Sequence, residues 1–171
     1  MRKLVLSAAV SLDGFIAGPD GEIDWILMDP DIDFGELIGR FDALLVGRKS
    51  WEEQQNYGGG MFNGLDAWVI SRTLAEDEGR GCKVSPDLAA TVAELKASGG
   101  RDIWLFGGGD LFRSAFDLAL VDEVQVAVIP VLLGGGLPLL PSGKRGPSLT
   151  LLRSRVFGKT GTVLLDYEVK R

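Results

Sequence analysis

Four short, mainly apolar runs, each closed by a turn, most limit what this chain can fold into. They are Leu4 to Val10, Ala43 to Val46, Trp68 to Ile70 and Ile103 to Phe106. A strand wetted on one face alternates polar and apolar residues. A strand covered on both faces does not, and such strands belong to parallel sheets held between helices. The segments between the runs read as helices. Asp31 to Phe41 is amphipathic, with Phe34, Leu37, Ile38 and Phe41 on one face. Ser50 to Gln55 starts a second helix, Asp87 to Ala97 is a third that Gly99-Gly100 ends, and Asp110 to Leu118 is a fourth. Lys83-Val84 reads as a short strand and Glu123 to Leu133 as a long one. Leu149 to Phe157 and Thr162 to Lys170 flank Gly158-Lys159-Thr160-Gly161 as a closing hairpin. The expected architecture is α/β in three layers, a mixed sheet ending in a hairpin. With no repeat and no linker composition, one domain over residues 1–171 is expected.

Composition removes several function classes. The chain has 171 residues, enough for one well-packed domain and short for two. It contains no histidine and one cysteine, Cys82. A Ser-His-Asp or Cys-His nucleophile is therefore impossible within it, and a zinc site is not expected. A calcium loop over Asp29, Asp31 and Asp33 is rejected because Phe34 holds its glycine position and Arg40 its closing glutamate position. A net charge of −6 argues against general binding to nucleic acid or anionic membrane. The lone Cys82 fits a reducing compartment, so a cytoplasmic protein is expected. Met1-Arg2-Lys3 before Leu4 to Leu12 imitates a signal peptide. Ser7 and Ser11 interrupt it, and it runs straight into Asp13-Gly14, so a first strand is the better reading. No stretch is long enough to span a membrane.

Three of the turns carry chemistry. Phe106-Gly107-Gly108-Gly109-Asp110-Leu111 joins a buried strand to a helix start, where glycine lets the backbone approach a ligand and N–H groups attract phosphate. A tight turn packed on the sheet is the competing explanation. It is not a dinucleotide fingerprint, because Phe112 occupies the third glycine position, and no Gly-Lys-Ser/Thr ending makes it a P-loop. Gly47-Arg48-Lys49-Ser50-Trp51 has the same layout with two cations and a hydroxyl. Ile70-Ser71-Arg72-Thr73-Leu74 ends another strand with a hydroxyl and a guanidinium. Ligands of open α/β sheets gather beyond the carboxyl ends of strands.

These three segments, in this order, resemble the cofactor-binding turns of the dihydrofolate reductase-like superfamily. Ser11-Leu12-Asp13-Gly14-Phe15-Ile16-Ala17 resembles the first strand and turn of its riboflavin-biosynthesis branch. So does Val121-Asp122-Glu123-Val124 continuing to Ile129-Pro130 and Gly134-Gly135-Gly136-Leu137-Pro138-Leu139. In that branch the reductase forms the C-terminal half of deaminase-reductases, the RibD C-terminal domain family. This chain looks like a stand-alone member. The resemblance implies a dihydrofolate reductase-like fold and NADPH as cofactor. Arg48, Ser71 and Arg72 would hold the adenosine 2′-phosphate, for which guanidinium suits by its fork and permanent charge. Gly47, Lys49 and Ser50 would meet the pyrophosphate, with Thr73 beside the Ser71-Arg72 pair. Phe106 to Leu111 (Gly107, Gly108, Gly109 and Asp110 among them) would wrap the phosphate and ribose. Ala9, Ile16 and Ala17 would lie near the nicotinamide.

The reaction implied is hydride transfer to a C=N or equivalent bond of a heterocyclic substrate. In the riboflavin branch this is a phosphorylated ribosylaminopyrimidine, and in the other the pterin of dihydrofolate. Asp13 matches the aspartate of the riboflavin-type turn and is the catalytic candidate; an ordinary Asp-Gly turn is its alternative. Asp31 or Asp33 falls near the pterin-binding carboxylate of dihydrofolate reductases, and Phe34 and Trp25 are candidate substrate contacts. Gly58-Gly59-Gly60 reads as a surface loop able to cover the cofactor. Dihydrofolate reduction and a non-catalytic, nucleotide-sensing role are the competing functions. The apolar Glu123 to Leu133 segment and the final hairpin suggest a homodimer.

Overall fold

The computed structural model describes residues 1–56, 62–75 and 81–170; Gly58-Gly59-Gly60 lie outside these. The elements are β1 (Leu4–Ser11), β2 (Phe15–Ala17), α1 (Phe34–Gly39), β3 (Phe41–Gly47), α2 (Arg48–Asn56), β4 (Asp66–Ile70), β5 (Lys83–Ser85), α3 (Leu88–Ala97), β6 (Asp102–Gly107), α4 (Gly109–Asp117), β7 (Glu123–Ile129), β8 (Leu137–Pro138), β9 (Leu149–Phe157) and β10 (Thr162–Val169). Eight strands form one sheet in the order β5-β4-β3-β6-β1-β7-β10-β9, and β2 with β8 forms a small second sheet. From β5 to β7 every neighbouring pair is parallel, while β10 and β9 add the antiparallel hairpin.

The apolar runs are continuous because both faces of the sheet are covered. Leu4, Leu6, Leu45, Ile103 and Leu105 pack with α3 and α4 on one face. Val5, Leu44, Val46 and Trp104 pack on the other with Trp51 of α2, and Ile38 of α1 lies against them. Each fully buried aliphatic side chain contributes roughly 1.5–3 kcal/mol relative to leaving it in water. This is the three-layer α/β/α arrangement with a mixed, mostly parallel sheet and a C-terminal hairpin.

Two elements end elsewhere than the sequence reading has them, and β2 and β8 are strands it did not assign. The Asp31 to Phe41 helix shrinks to Phe34–Gly39 and buries none of its residues. Asp33 caps it by accepting a hydrogen bond from Glu36 N–H at 2.9 Å, so the helix starts after Asp31. Gly35 and Gly39 weaken it, and Phe41 is taken as the first residue of β3, stacked on Trp104 with ring centroids 5.5 Å apart. The long strand expected to reach Leu133 stops at Ile129, because Pro130 has no N–H to continue the ladder. Val131 N–H turns back onto the Ile129 carbonyl, and residues 131–141 become a strap.

Candidate active site

Parallel strands open all their carboxyl ends on one edge. The turns after β4, β3, β6 and β1 therefore line up there as neighbours, in sheet order. Their approach is close. A Cβ on Gly47 would lie 3.5 Å from the Gly107 carbonyl oxygen and 3.7 Å from Gly108 N. One on Gly108 would lie 3.4 Å from Ser50 Oγ. The Gly47–Ser50 and Gly107–Gly109 segments thus share a single seam, whose Gly107–Gly108 peptide is cis. Helix α2 begins at Arg48 and α4 at Gly109, so two helix N-termini face the seam. Gly108, the N-cap of α4, supplies no side-chain cap, which leaves first-turn N–H groups for an outside acceptor.

The glycine-rich turn serves packing as well. Gly107 has φ +119°, and a Cβ there would stand 2.8 Å from the ring of Phe112, which is fully buried. Gly109 is hemmed by the Pro138 carbonyl and the Pro141 ring. Two of the three glycines are thus required by the chain's own contacts, as the competing explanation held. Gly108 remains at the seam. Phe106 belongs to the aromatic cluster behind it, 4.9 Å from Phe62 between ring centroids. Leu111 is buried, and Asp110 is an exposed acid in the first turn of α4.

The cations stand at the rim. Arg48, Lys49, Arg72 and Thr73 are exposed, and the guanidinium of Arg48 lies 3.9 Å from Glu52 one turn along α2. Ser71 Oγ accepts from the N–H groups of Thr73 at 3.2 Å and Leu74 at 3.0 Å, shaping the turn that presents Arg72. A phosphorylated dinucleotide fits this donor set: guanidinium at one end, uncapped N–H groups and a hydroxyl in the middle.

Asp13 turns away from a free role. Its carboxylate accepts from Ser11 Oγ at 2.6 Å, Leu133 N–H at 3.1 Å and Gly134 N–H at 2.7 Å. The Ser11 hydroxyl, followed by the Gly134 and Leu133 amides, outweighs desolvation and holds its carboxyl below the usual carboxylate range. It is an ionised clamp between the β1–β2 turn and the strap. The strap closes further through Leu12 N–H to the Val131 carbonyl, Leu139 N–H to the Gly14 carbonyl, and the β2–β8 pairing. Gly136, at φ +141°, passes so close to the Ala17 carbonyl that any Cβ would collide. The two segments that carry the riboflavin-type resemblance are therefore in direct contact. Within this junction Ala17 is buried and Ile16 is half-buried, packed on the α4-side core.

The substrate candidates have other partners. Asp31 pairs with Lys159 at 2.7 Å on the surface, and Asp33 caps α1. Trp25 Nε1 donates to the Glu22 carbonyl at 3.1 Å, and Phe34 is 39% exposed. Nearby, Asp29 is buried and accepts from Asp31 N–H and from the N–H and hydroxyl of Thr160. Burial alone would raise its pKa, yet these donors keep it lowered. The loop before α1 is thereby pinned to the tip of the β9–β10 hairpin.

The sequence reading missed a cavity of about 130 Å³ between α1 and the sheet, lined by Glu36, Leu37, Arg40, Gln125, Arg153 and Arg155. The period-two spacing of Arg153 and Arg155, two cations on one face of a strand, was the available signal.

Comparison with known proteins agrees with this fold. Residues 62–163 match the family model described as the RibD C-terminal domain. The uncharacterized protein YyaP of Bacillus subtilis is 34% identical, with 97% of this chain and 94% of that protein covered. The riboflavin biosynthesis protein RibD of Corynebacterium ammoniagenes is 28% identical over 80% of this chain but only 45% of its own length. Among solved structures, a putative riboflavin biosynthesis protein from Shewanella sp. PV-4 superposes with a TM-score of 0.86 at 26% identity, over 99% of this chain and 100% of that one. In sequence and in fold alike, this chain belongs to the RibD C-terminal domain family.

Proposed function

We propose that this protein is an NADPH-dependent oxidoreductase acting on a pyrimidine- or pteridine-type heterocycle, most like the phosphoribosylaminouracil reductase of riboflavin biosynthesis. The observation that carries the proposal is the single seam made by the Gly47–Ser50 and Gly107–Gly109 segments, with Arg48 and Arg72 at its rim. Arg48 and Arg72, with Ser71 and Thr73, would grip the 2′-phosphate. Gly47, Lys49, Ser50 and the N–H groups at Gly108 to Asp110 would hold the pyrophosphate and ribose, with Leu111 N–H closing the turn onto the Gly108 carbonyl. When bound, the nicotinamide would supply a hydride to the substrate carbon. The chain's part is to place the two reactants and exclude water.

Asp13 serves this reaction as a positioning residue. Ionised and fully hydrogen-bonded, it fixes the β1 turn against the strap rather than donating a proton. Ala9, half-buried on the α1 side of the sheet, would floor the nicotinamide. Two copies would pair through the hairpin, where Leu149, Leu151, Leu152 and Val156 are exposed on the edge strand β9. The compartment proposed is the cytoplasm. Among the described residues no helix is long and apolar enough to cross a membrane.

Titration of NADPH and NADH by fluorescence or calorimetry tests the cofactor assignment; equal affinities would defeat it. NADPH oxidation with the ribosylaminopyrimidine beside dihydrofolate decides the substrate branch. Binding without turnover on either would leave a nucleotide-sensing protein. Sedimentation at micromolar concentration tests the dimer.

A further inference from the structure

Residues 140–147 follow the strap with no helix or strand of their own, and among the described residues they make no backbone–backbone hydrogen bond. One polar side chain holds them. Arg113 Nε and Nη2 donate to the Pro141 carbonyl at 3.2 and 2.7 Å, and Nη1 donates to the Lys144 carbonyl at 2.8 Å. Gly143 lies so close to this guanidinium that a Cβ there would stand 3.0 Å from Nε. Asp117, one turn further along α4, is 3.6 Å from Nη1 and completes the arrangement. The helix itself does not use Arg113 to pack, since Leu111, Phe112 and Ala115 are the residues it buries.

Gly109 and Arg113 are one helical turn apart and share a face of α4. Both meet Pro141, Gly109 against its ring and Arg113 at its carbonyl, while the Pro138 carbonyl of the strap closes over Gly109. Residues 138–141 are therefore a wall along the first turn of α4, next to the Gly107–Gly109 side of the seam. Asp13 fastens the strap at Leu133 and Gly134, and Arg113 fastens its far end. A guanidinium can take two carbonyls at once because its N–H groups diverge in a fixed plane.

We propose that Arg113 is a cofactor-positioning residue: by pinning Pro141 and Lys144 to α4 it holds this wall beside the seam, where the pyrophosphate of the cofactor would lie. The inference rests on the NADPH reading of that seam. Arg48 and Arg72 stand after β3 and β4, away from α4, so the adenosine 2′-phosphate is outside the reach of this wall. Loss of Arg113 therefore weakens what NADPH and NADH have in common and leaves the choice between them unaltered. Coupling of this kind is reciprocal, so a bound cofactor also holds the wall in place.

Calorimetry of Arg113→Gln and Arg113→Lys with NADPH, NADH and adenosine 2′-monophosphate, which carries the adenosine end only, tests this. Arg113→Gln should weaken both dinucleotides by one common factor, about tenfold. Its affinity for the 2′-monophosphate should be unchanged, which also shows that the variant folds. Arg113→Lys, able to reach one carbonyl at a time, should fall between. The exposed Lys144-Arg145 pair supplies a second readout. Trypsin should cut there slowly in the unmutated protein, more slowly with saturating NADPH, and fast in Arg113→Gln. Dinucleotide affinities unchanged in Arg113→Gln, a loss confined to NADPH, or cutting that NADPH does not slow each overturns the proposal. Loss of the 2′-monophosphate together with the dinucleotides overturns it too, since Arg113 would then support the whole fold. If neither dinucleotide binds the unmutated protein, the proposed function falls and takes this inference with it. If both bind it and bind Arg113→Gln equally well, this inference falls by itself.

Discussion

The two edges of this sheet treat charge in opposite ways. At the edge where the parallel strands begin, cations are consumed by the chain. Arg2, only 7% exposed, pairs with Asp42 and also donates to the carbonyls of Leu95, Gly99 and Arg101 and to the Ser98 hydroxyl. Lys3 and Arg40 share Glu123, Arg40 also holds Asp102, and Lys96 holds Asp122. These contacts tie α3, β1, β3, β6 and β7 together. At the edge where the strands end, Arg48, Lys49 and Arg72 are exposed, beside glycines and the uncapped N-terminus of α4. A guanidinium surrounded by carbonyls and carboxylates is part of the scaffold. One at the rim of a donor-lined seam is available to a ligand. Residue type does not separate the two roles; partners do.

This contrast can be broken experimentally. The largest expected effect is at Phe112, the buried ring that props the Gly107 turn. Phe112→Ala should cost about 3–5 kcal/mol in urea unfolding and weaken NADPH binding with it. Unchanged cofactor affinity would show that the seam does not depend on that ring. Next, Arg2→Ala strands Asp42 and several carbonyls, and should cost about 3 kcal/mol while the folded fraction binds NADPH normally. A loss of affinity there would erase the division of labour between the edges.

Arg72→Ala should do the reverse. Stability should change by no more than about 0.5 kcal/mol in the same unfolding assay. NADPH binding should fall by about 1.5–3 kcal/mol in calorimetry, removing preference over NADH. The smallest effects are in the pH limbs of stability. Glu123 holds the Lys3 ammonium above the usual lysine range. Its contribution is therefore full below that range and is lost as the pH rises through the folded value. Asp13 is lowered, so its clamp is intact above the usual carboxylate range and is lost as the pH falls through its folded value. Lys3→Met should flatten the alkaline limb of a thermal-melt profile and Asp13→Asn the acid limb, each leaving the other limb unaltered.

Much of the fold was legible because its signals are local. The runs at Leu4 and Ala43 announced two-sided burial, and the helix read over Asp87 to Ala97 forms as Leu88–Ala97, with Asp87 as its N-cap accepting from Ala90 N–H 3.0 Å away. The α1 and β7 boundaries failed where a local signal competed with the sheet. Phe41 fits a helical face equally well, but stacking on Trp104 puts it in β3. The seam was legible as two glycine-bearing turns after buried strands, Gly47 to Ser50 and Gly107 to Gly109, which the fold brings side by side. Asp13 was legible as a turn residue. Its engagement was not, because the amides it accepts from belong to Leu133 and Gly134.

Periodicity, turn chemistry and ordering were thus settled by the chain alone: a covered parallel sheet, glycine-rich strand ends and their grouping on one edge. Those features depend on residues a few positions apart, which any reader of the string can compare. Which glycines answer to packing, that Asp13 is a clamp, and that Arg153 Nε finds Asp166 while Arg155 Nε finds no acceptor were decided only in three dimensions. Each depends on a partner brought in from a distant strand or loop, such as Pro141, Gly134 or Asp166. A side chain's role follows from which of its polar atoms the fold has already satisfied, and only the folded chain determines that.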